Sequence, residues 1–195
     1  MARITDPTKL ERIKKATMEL VVKHGYRGTS ISSIAKKAGV STGYLYRHYD
    51  GKSDLIDDLI DHNFQVVQNI FCRTAEEKGT AKDTIHDLVK MLFQISINNP
   101  THARFLSVLV FDQNFEVQRK REDDEKINKL VDTVLTLGVK NGEIGPNTTD
   151  EEVSLVLFTI PFSYITMNLC TDYCEEKFGE KQVNRITEII LNALK

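Results

Sequence analysis

Apolar residues recur along this chain every three or four positions, the spacing that is typical of amphipathic α-helices. A first helix is predicted over about residues 7–24, where one face carries Leu10, Ile13, Thr17, Leu20 and Val21. A second helix is predicted from Ser30 as its N-cap to Gly39, and a third, short helix after Ser41. The three-residue turn between them contains a glycine, which is typical of a helix-turn-helix.

The remaining helices are longer and more apolar, and no strand is indicated along the chain. Capping residues, glycines and prolines predict helices over about 53–77, 80–98, 99–111, 114–141, 149–174 and 181–194. Pro161 is expected to kink the helix in which it lies. We therefore predict an all-α fold of about nine helices. A three-helix domain with the helix-turn-helix would span residues 1–52, and a C-terminal helical domain residues 53–195.

Charge divides the chain into two unequal parts. Residues 1–50 contain ten basic and four acidic side chains, a net charge of +6, although the whole chain of 195 residues carries −2. Residues 51–195 therefore carry −8. We call residues 1–50 the head and the remainder of the chain the body. Because the head is basic and the body is acidic, we expect only the head to bind a polyanion such as nucleic acid. The simpler alternative is that these basic side chains lie on solvated faces of the helices and bind no partner.

The third predicted helix carries the candidate chemistry. With Leu45 pointing inward, helical geometry places Gly43, Tyr44, Tyr46 and Arg47 on the outer face. Such a helix fits the major groove of DNA, where arginine can form two hydrogen bonds to guanine and tyrosine can contact a thymine methyl group or a base edge. The alternative is that the tyrosines pack a small core. The capped helix before it, the short turn and the charge of the head favour DNA binding.

This part of the chain resembles the TetR/AcrR family of bacterial transcriptional regulators. The resemblance rests on the segment Ile-Ala-x-x-Ala-Gly-Val-Ser at 34–41, the segment Leu-Tyr-x-His-aromatic at 45–49 and Lys52 near the start of the next helix. It is specific over about residues 8–60, beyond which only length and helical character match. It implies a dimeric regulator, by default a repressor, which a small-molecule ligand releases from a palindromic DNA operator.

The resemblance also implies roles for single residues of the head. The side chains that match phosphate-binding positions are Ser30, Tyr46, His48 and Lys52, with Thr29 beside them. Those that match positions facing bases or the adjoining backbone are Thr42, Gly43, Tyr44 and Arg47, with Ser32 as a further candidate. Thr42 departs from the family pattern, in which many members have Lys, and Tyr49 stands where Phe is commoner. His48 has an alternative role as a packing residue at the end of the helix.

The C-terminal domain is expected to bind the effector, and the resemblance places a ligand cavity among its middle helices. Apolar side chains with isolated polar groups suit a largely apolar effector, with packing in an ordinary core as the alternative for each residue. The candidates are Phe93, Gln94, Phe105, Phe111, Phe162, Tyr164, Met167 and Asn168. The resemblance assigns the last two helices to the dimer, where a terminal stripe consists of Val183, Ile186, Ile190 and Leu194. Either a partner subunit or the rest of its own chain must cover this stripe.

Other classes of protein are less favoured. The sequence has no nucleophile paired with a base, no metal-ligand spacing and no glycine-rich phosphate loop, so neither an enzyme nor a metal or other cofactor is expected. Three cysteines without a secretory signal indicate reduced thiols in a cytoplasmic protein. The longest apolar run is too often interrupted for a membrane span. The alternatives to a sequence-specific regulator are a non-specific architectural DNA-binding protein and a helical enzyme that binds a small molecule.

Overall fold

The fold is built from helices of very different lengths. The computed structural model describes residues 7–61, 79–111, 121–169 and 174–195, and the side chains of these residues except 121–127 and 174–175. The helices in these ranges are α1 (Pro7–His24), α2 (Ile31–Ala38), α3 (Thr42–Leu45), α4 (residues 52–61), α5 (Ala81–Asn98), α6 (Pro100–Phe111), α7 (Arg121–Lys140), α8 (Asp150–Asn168), α9 (Cys174–Lys177) and α10 (Glu180–Ala193). The described residues contain no strand, and the predicted all-α class is confirmed.

Local capping groups define the helix-turn-helix. The Ser30 hydroxyl oxygen accepts a hydrogen bond from the backbone N–H of Ser33 at 3.2 Å, and the Ser33 hydroxyl oxygen accepts one from the backbone N–H of Ser30 at 3.0 Å. This reciprocal capping box satisfies N–H groups that would otherwise lack partners. Gly39 ends α2 at a φ of +68°, a left-handed conformation that glycine adopts without steric cost. Ser41 then caps α3 by accepting a bond from the N–H of Tyr44 at 3.2 Å.

The third helix is shorter than predicted. Its regular part is Thr42–Leu45, and residues 46–48 form turns. The N–H of His48 bonds to the carbonyl oxygen of Leu45 at 2.9 Å, so the helix tightens to three-residue spacing as it ends. We refer to residues 41–49 as the recognition element.

Three apolar clusters hold the helices together. The head core joins α1, α2, the recognition element and the start of α4, and its buried members are Ile13, Ala16, Ile34, Ala35, Ala38, Leu45, Tyr49 and Leu55. The junction cluster joins α1 and α4 to α6 through Val21, Tyr26, Ile56, Leu59, Ile60, Phe105 and Leu109. The body core fills the space among α5, α7, α8 and α10. Because α4 contributes to both the head core and the junction cluster, it links the two parts of the chain.

The loop after α7 caps the distant N-terminus of α5. The Glu143 carboxylate accepts a hydrogen bond from the backbone N–H of Ala81 at 2.8 Å and a longer one from that of Lys82 at 3.4 Å. The Asn141 side-chain amide donates to the carbonyl oxygen of Gly79 at 2.8 Å. A carboxylate is stabilising at the positive end of a helix. This cap joins residues 62 positions apart, so the spacing of the sequence does not reveal it.

Two expectations for the C-terminal helices need correction. α8 ends at Asn168 rather than near residue 174, and Pro161 lies inside it. The apolar stripe of α10 is buried in the body core, with exposures of 5% or less for Val183, Ile186, Ile190 and Leu194. The prediction that these four residues form the dimer interface is therefore wrong. The rest of their own chain covers them, because α10 packs against α5 and α8.

The described ranges contain neither a membrane-spanning helix nor a metal-binding cluster. No helix among the described residues is long and apolar enough to cross a membrane. These residues also contain no group of three His, Cys, Asp or Glu side chains that could hold a metal ion. The side chains of Cys72, Cys170 and Cys174, interpreted above as reduced thiols, lie outside the described part.

Candidate nucleic-acid interface

The recognition element presents a polar and partly aromatic face to solvent. Thr42, Gly43, Tyr46 and Arg47 are exposed, whereas Leu45 is fully buried in the head core, as the helical spacing predicts. Tyr46 exposes 59% of its surface, so its ring does not belong to the core. A Cβ atom at Gly43 would meet nothing within 4 Å. Packing inside the chain therefore does not require a glycine there, and the backbone is open to a ligand.

Tyr44 departs from the predicted outward orientation. Its ring packs against the head core, and its hydroxyl oxygen is buried without a hydrogen-bond partner in the part of the chain that the structure describes. The Lys9 ammonium lies 5.6 Å and the Arg47 guanidinium 5.5 Å from the centroid of this ring. Aromatic faces attract cations at such distances. Tyr44 therefore supports the basic side chains, and the predicted hydrogen bond from its hydroxyl to a base edge is not available in this conformation.

Arg47 lies along the outside of the recognition element. Its Nε donates a hydrogen bond to the carbonyl oxygen of Gly43 at 3.3 Å, and its guanidinium lies over the Tyr44 ring. This bond uses one of the five guanidinium donors, so paired hydrogen bonds to a guanine remain possible. The His48 ring is half-buried with its centroid 4.8 Å from that of Tyr44, which favours the packing role that the sequence left open.

The first turn of α2 adds a second polar surface to the head. Ser30 and Ser32 are exposed there, and the turn contains no acidic residue. The positive end of the helix favours an anion such as a phosphate. Thr29, in contrast, is buried, and its hydroxyl donates to the carbonyl oxygen of Gly25 at 2.9 Å. Its side chain closes the loop after α1, so its predicted place beside the phosphate-binding residues needs correction.

Lys52 has partners that the sequence did not reveal. Its ammonium donates to the carbonyl oxygens of Tyr26 at 2.7 Å and Thr29 at 2.9 Å, and it lies 4.0 Å from the centroid of the Tyr26 ring. Partial burial lowers the pKa of the Lys52 ammonium. Lys52 therefore holds the loop between α1 and α2 from the start of α4. Within the described part of the chain, these two bonds use two of the three ammonium protons and leave one for the predicted phosphate contact.

Further basic groups lie on α2 beside this surface. Lys36 and Lys37 are exposed in its last turn. Lys37 pairs with Glu19 of α1 at 2.9 Å, and this hydrogen bond lowers the pKa of the Glu19 carboxyl. Together with the net charge of +6 over residues 1–50, these groups give the head the charge that a polyanion requires.

Comparisons with known proteins agree with this geometry. Residues 13–59 match the family model of bacterial regulatory proteins of the tetR family. Over these residues the chain belongs to the TetR family of transcriptional regulators.

Individual relatives extend the similarity beyond the head. The fatty acid metabolism regulator protein of Bacillus subtilis is 26% identical over 137 residues, which cover 70% of this chain and 71% of that protein. The HTH-type transcriptional repressor KstR of Mycobacterium tuberculosis is 25% identical over 68% of this chain and 59% of its own length. The crystal structure of the regulator FadR from Bacillus subtilis in complex with stearoyl-CoA is similar in fold. Its TM-score is 0.71 at 19% identity, over 95% of this chain and 99% of that one.

The candidate ligand residues fall into separate places in the structure. Phe93 is buried in the body core, where its ring centroid lies 5.3 Å from that of Tyr164 and 5.0 Å from that of Phe178. Phe162 is buried in the same core. Phe105 belongs instead to the junction cluster between head and body. Phe178 is the member of this aromatic group that the sequence did not single out, since it lies outside the predicted middle helices.

The remaining candidates either form hydrogen bonds with backbone carbonyl groups of the body or lie at the surface. The Tyr164 hydroxyl donates to the carbonyl oxygen of Lys177 at 2.9 Å, and the Asn168 amide donates to that of Tyr164 at 2.8 Å. Gln94, Phe111 and Met167 are exposed. Phe93, Phe162 and Tyr164 lie together in the body core or packed against it.

Proposed function

We propose that this regulator is a repressor that binds a palindromic operator as a homodimer and leaves it when a fatty acyl thioester binds among its body helices. The observation that carries the DNA-binding part is the exposed face of the recognition element. It combines an open backbone at Gly43 with the outward side chains of Thr42, Tyr46 and Arg47 on a basic head. A major groove about 12 Å wide admits a helix that carries such a face.

The dimer is proposed to use the exposed apolar side chains of the last long helices. Leu155 and Met167 on α8 expose 62% and 77% of their surfaces, and Ile189 on α10 exposes 38%. A contact with a second copy of the chain would remove these large apolar side chains from water. A two-fold dimer would place its recognition elements in successive major grooves, about 34–36 Å apart. The operator would then be a palindrome with one half-site for each head.

The effector is proposed to be a long-chain acyl thioester of coenzyme A. The relatives support this class, since one regulates fatty acid metabolism and one solved structure contains stearoyl-CoA. The body also suits an apolar chain, because α8 is apolar around most of its circumference. Its Tyr164 ring packs against the rings of Phe93 and Phe178. The protein would act in the cytoplasm and by binding alone, without catalysis.

The operator is tested by selection of genomic fragments with the purified full-length chain at about 0.15 M salt, where specific binding commonly exceeds non-specific binding by about 10³ or more. We expect a palindrome whose half-sites lie about one helical turn apart. Weak and uniform binding to all fragments, both as purified and after ligand removal by unfolding and refolding, would contradict the proposal and favour an architectural DNA-binding protein.

The effector is tested on the selected operator by fluorescence anisotropy. We expect stearoyl-CoA to release the operator at concentrations at which coenzyme A and stearate alone do not, because the proposed site needs both the chain and the thioester head. Release of equal extent by stearate alone would contradict the thioester. Mass spectrometry of the ligand after release should recover it intact, and its hydrolysis would contradict a function by binding alone.

A further inference from the structure

A single carboxylate oxygen joins three elements of the structure. The Tyr49 hydroxyl donates a hydrogen bond to Asp58 Oδ2 at 2.9 Å, and the Lys14 ammonium lies 3.1 Å from the same oxygen. Tyr49 ends the recognition element, Asp58 belongs to α4 and Lys14 belongs to α1. The hydrogen bond between Tyr49 and Asp58 thus links the recognition element directly to α4.

The Tyr49 side chain is suited to couple the position of the recognition element to that of α4. Its ring is buried in the head core, and its backbone N–H bonds to the carbonyl oxygen of Leu45 at 3.0 Å. Burial is the main cause that raises the pKa of the Tyr49 hydroxyl, and the hydrogen bond to Asp58 raises it further. The hydroxyl therefore stays protonated and remains a donor at physiological pH.

The partner residue lies on a helix that belongs to both halves of the molecule. Ile56, Leu59 and Ile60 of α4 pack in the junction cluster with Phe105 and Leu109 of α6. Asp58 lies between these residues in sequence, yet it bonds to the head. A displacement of α4 against the body would therefore reach the recognition element through Asp58.

Next to Tyr49, the backbone N–H of Asp50 donates to Asp54 Oδ2 of α4 at 2.9 Å, so the Tyr49 hydroxyl adds a side-chain link to this backbone link at the C-terminal end of the recognition element. Its regular helix contains four residues, with a Ser41 cap at one end and Leu45 in the core. Tyr46 and Arg47 lie in the turn between Leu45 and Tyr49, so the position of Tyr49 decides how these exposed side chains are presented. Groups that read bases must be placed to within fractions of an ångström.

We propose that Tyr49 is a positioning residue, whose hydroxyl ties the recognition element to α4 through Asp58 and thereby increases the preference for operator over other DNA. This inference rests on the proposed function, since it assumes a specific operator. It assigns to the hydroxyl a role in selectivity that is separate from the packing of the ring in the head core.

The test is Tyr49→Phe, which keeps the buried ring and removes only the hydroxyl. Dissociation constants are measured for the selected operator and for a scrambled duplex of equal length at the same salt, together with the melting temperature. A hydrogen bond of this kind is worth about a factor of 3 to 10 in an equilibrium constant. We expect operator binding to weaken by about that factor per head and binding to the scrambled duplex to stay unchanged.

A matched control removes a buried hydroxyl elsewhere in the head. Thr17→Val deletes a hydroxyl that donates to the carbonyl oxygen of Ile13 within α1. It should leave the ratio of operator to scrambled binding unchanged, even if it lowers the melting temperature. Asp58→Ala removes the acceptor of Tyr49 together with the contact to Lys14, so it should lose at least as much as Tyr49→Phe. Adding Tyr49→Phe to Asp58→Ala should cause no additional loss, because the link is already absent.

The outcomes separate this inference from the proposed function. An unchanged ratio in Tyr49→Phe, with or without a lower melting temperature, would overturn the positioning role while leaving the regulator intact. Additive losses in the double variant would overturn the link through Asp58. If the wild-type chain itself does not distinguish operator from scrambled DNA, the proposed function fails, and the inference fails with it.

Discussion

The ammonium group of Lys52 donates a hydrogen bond to the carbonyl oxygen of Thr29, 23 positions earlier in the chain, at 2.9 Å. Thr29 immediately precedes Ser30, the residue that caps α2. A second bond from the same ammonium to the Tyr26 carbonyl fixes the loop at its other end. Lys52, the first residue of α4, therefore fixes the loop of residues 26–29, which positions the N-terminus of α2. A residue that resembles a phosphate-binding lysine acts in this structure as a support for the neighbouring site.

Removing this support should cost stability as well as DNA affinity. Lys52→Met leaves two carbonyl groups without their charged donor, so we expect a loss of about 1.5–3 kcal/mol in the free energy of unfolding. Lys36→Met removes an exposed charge of the same head and serves as the control. It should weaken binding to all DNA and flatten the salt dependence by about one unit without changing stability. Urea unfolding and DNA titrations at several salt concentrations measure both. Equal stability of the two variants would contradict the supporting role of Lys52.

Arg47 is expected to read a base. Arg47→Ala should weaken operator binding by about 1–3 kcal/mol and relax the preference at one position of each half-site. Arg47→Lys keeps the charge but cannot form the two parallel hydrogen bonds, so most of the loss should remain. Repeating the fragment selection with each variant measures the preference position by position. Recovery of wild-type selectivity by Arg47→Lys would indicate a phosphate contact instead.

The proposed dimer surface predicts a charge-sensitive contact at Leu155. Leu155→Glu should shift the chain from dimer to monomer, because an ionised carboxylate in an apolar interface loses its hydration. Val139→Glu on α7 is the control, since Val139 is also an exposed apolar residue but lies on a different helix. Sedimentation velocity over a range of protein concentrations reports the mass. A dimer that survives Leu155→Glu and dissociates in Val139→Glu would move the interface to α7.

The distant cap of α5 predicts a stability effect far from the DNA. Glu143→Gln removes the charge at the helix N-terminus but keeps an acceptor oxygen, so we expect a loss of about 0.5–1 kcal/mol. Glu151→Gln changes an exposed carboxylate in the first turn of α8 and is expected to cost less, because Glu152 rather than Glu151 completes the capping box there. Urea unfolding of both variants measures the difference. A larger loss for Glu151→Gln would contradict the cap.

Alkaline titration should distinguish the buried tyrosines. Burial raises the pKa values of Tyr49 and Tyr164 above the ordinary tyrosine value of about 10, so both should ionise at a higher pH than a tyrosine in the unfolded chain. Because the unfolded chain ionises first, the stabilising contribution of these tyrosines is fully present below about pH 10 and decreases as the pH rises above it. Absorbance at 295 nm follows the titration, and Tyr49→Phe should remove one late-titrating group. An unchanged late phase in this variant would contradict the assignment.

Features with short-range causes were predictable from the sequence. The caps at Ser30 and Ser41 and the end of α2 at Gly39 depend on residues within four positions of each other, and the structure agrees with all three. The outward placement of Thr42, Gly43, Tyr46 and Arg47 follows from helical rotation once Leu45 is inward. Tyr44 lies at the edge of that face. Its inward orientation depends on the head core against which its ring packs, which helical rotation alone does not specify.

The sequence by itself determined the helical class, the helix-turn-helix, the basic head and the family resemblance, because periodicity, capping and charge act locally. Only the tertiary structure decided what covers each apolar face and which groups meet across the chain. The stripe of Val183, Ile186, Ile190 and Leu194 had to be buried, but periodicity could not say whether a partner or the same chain would bury it. The bonds of Lys52 to Thr29 and of Tyr49 to Asp58 likewise depend on how helices dock, which no local pattern encodes.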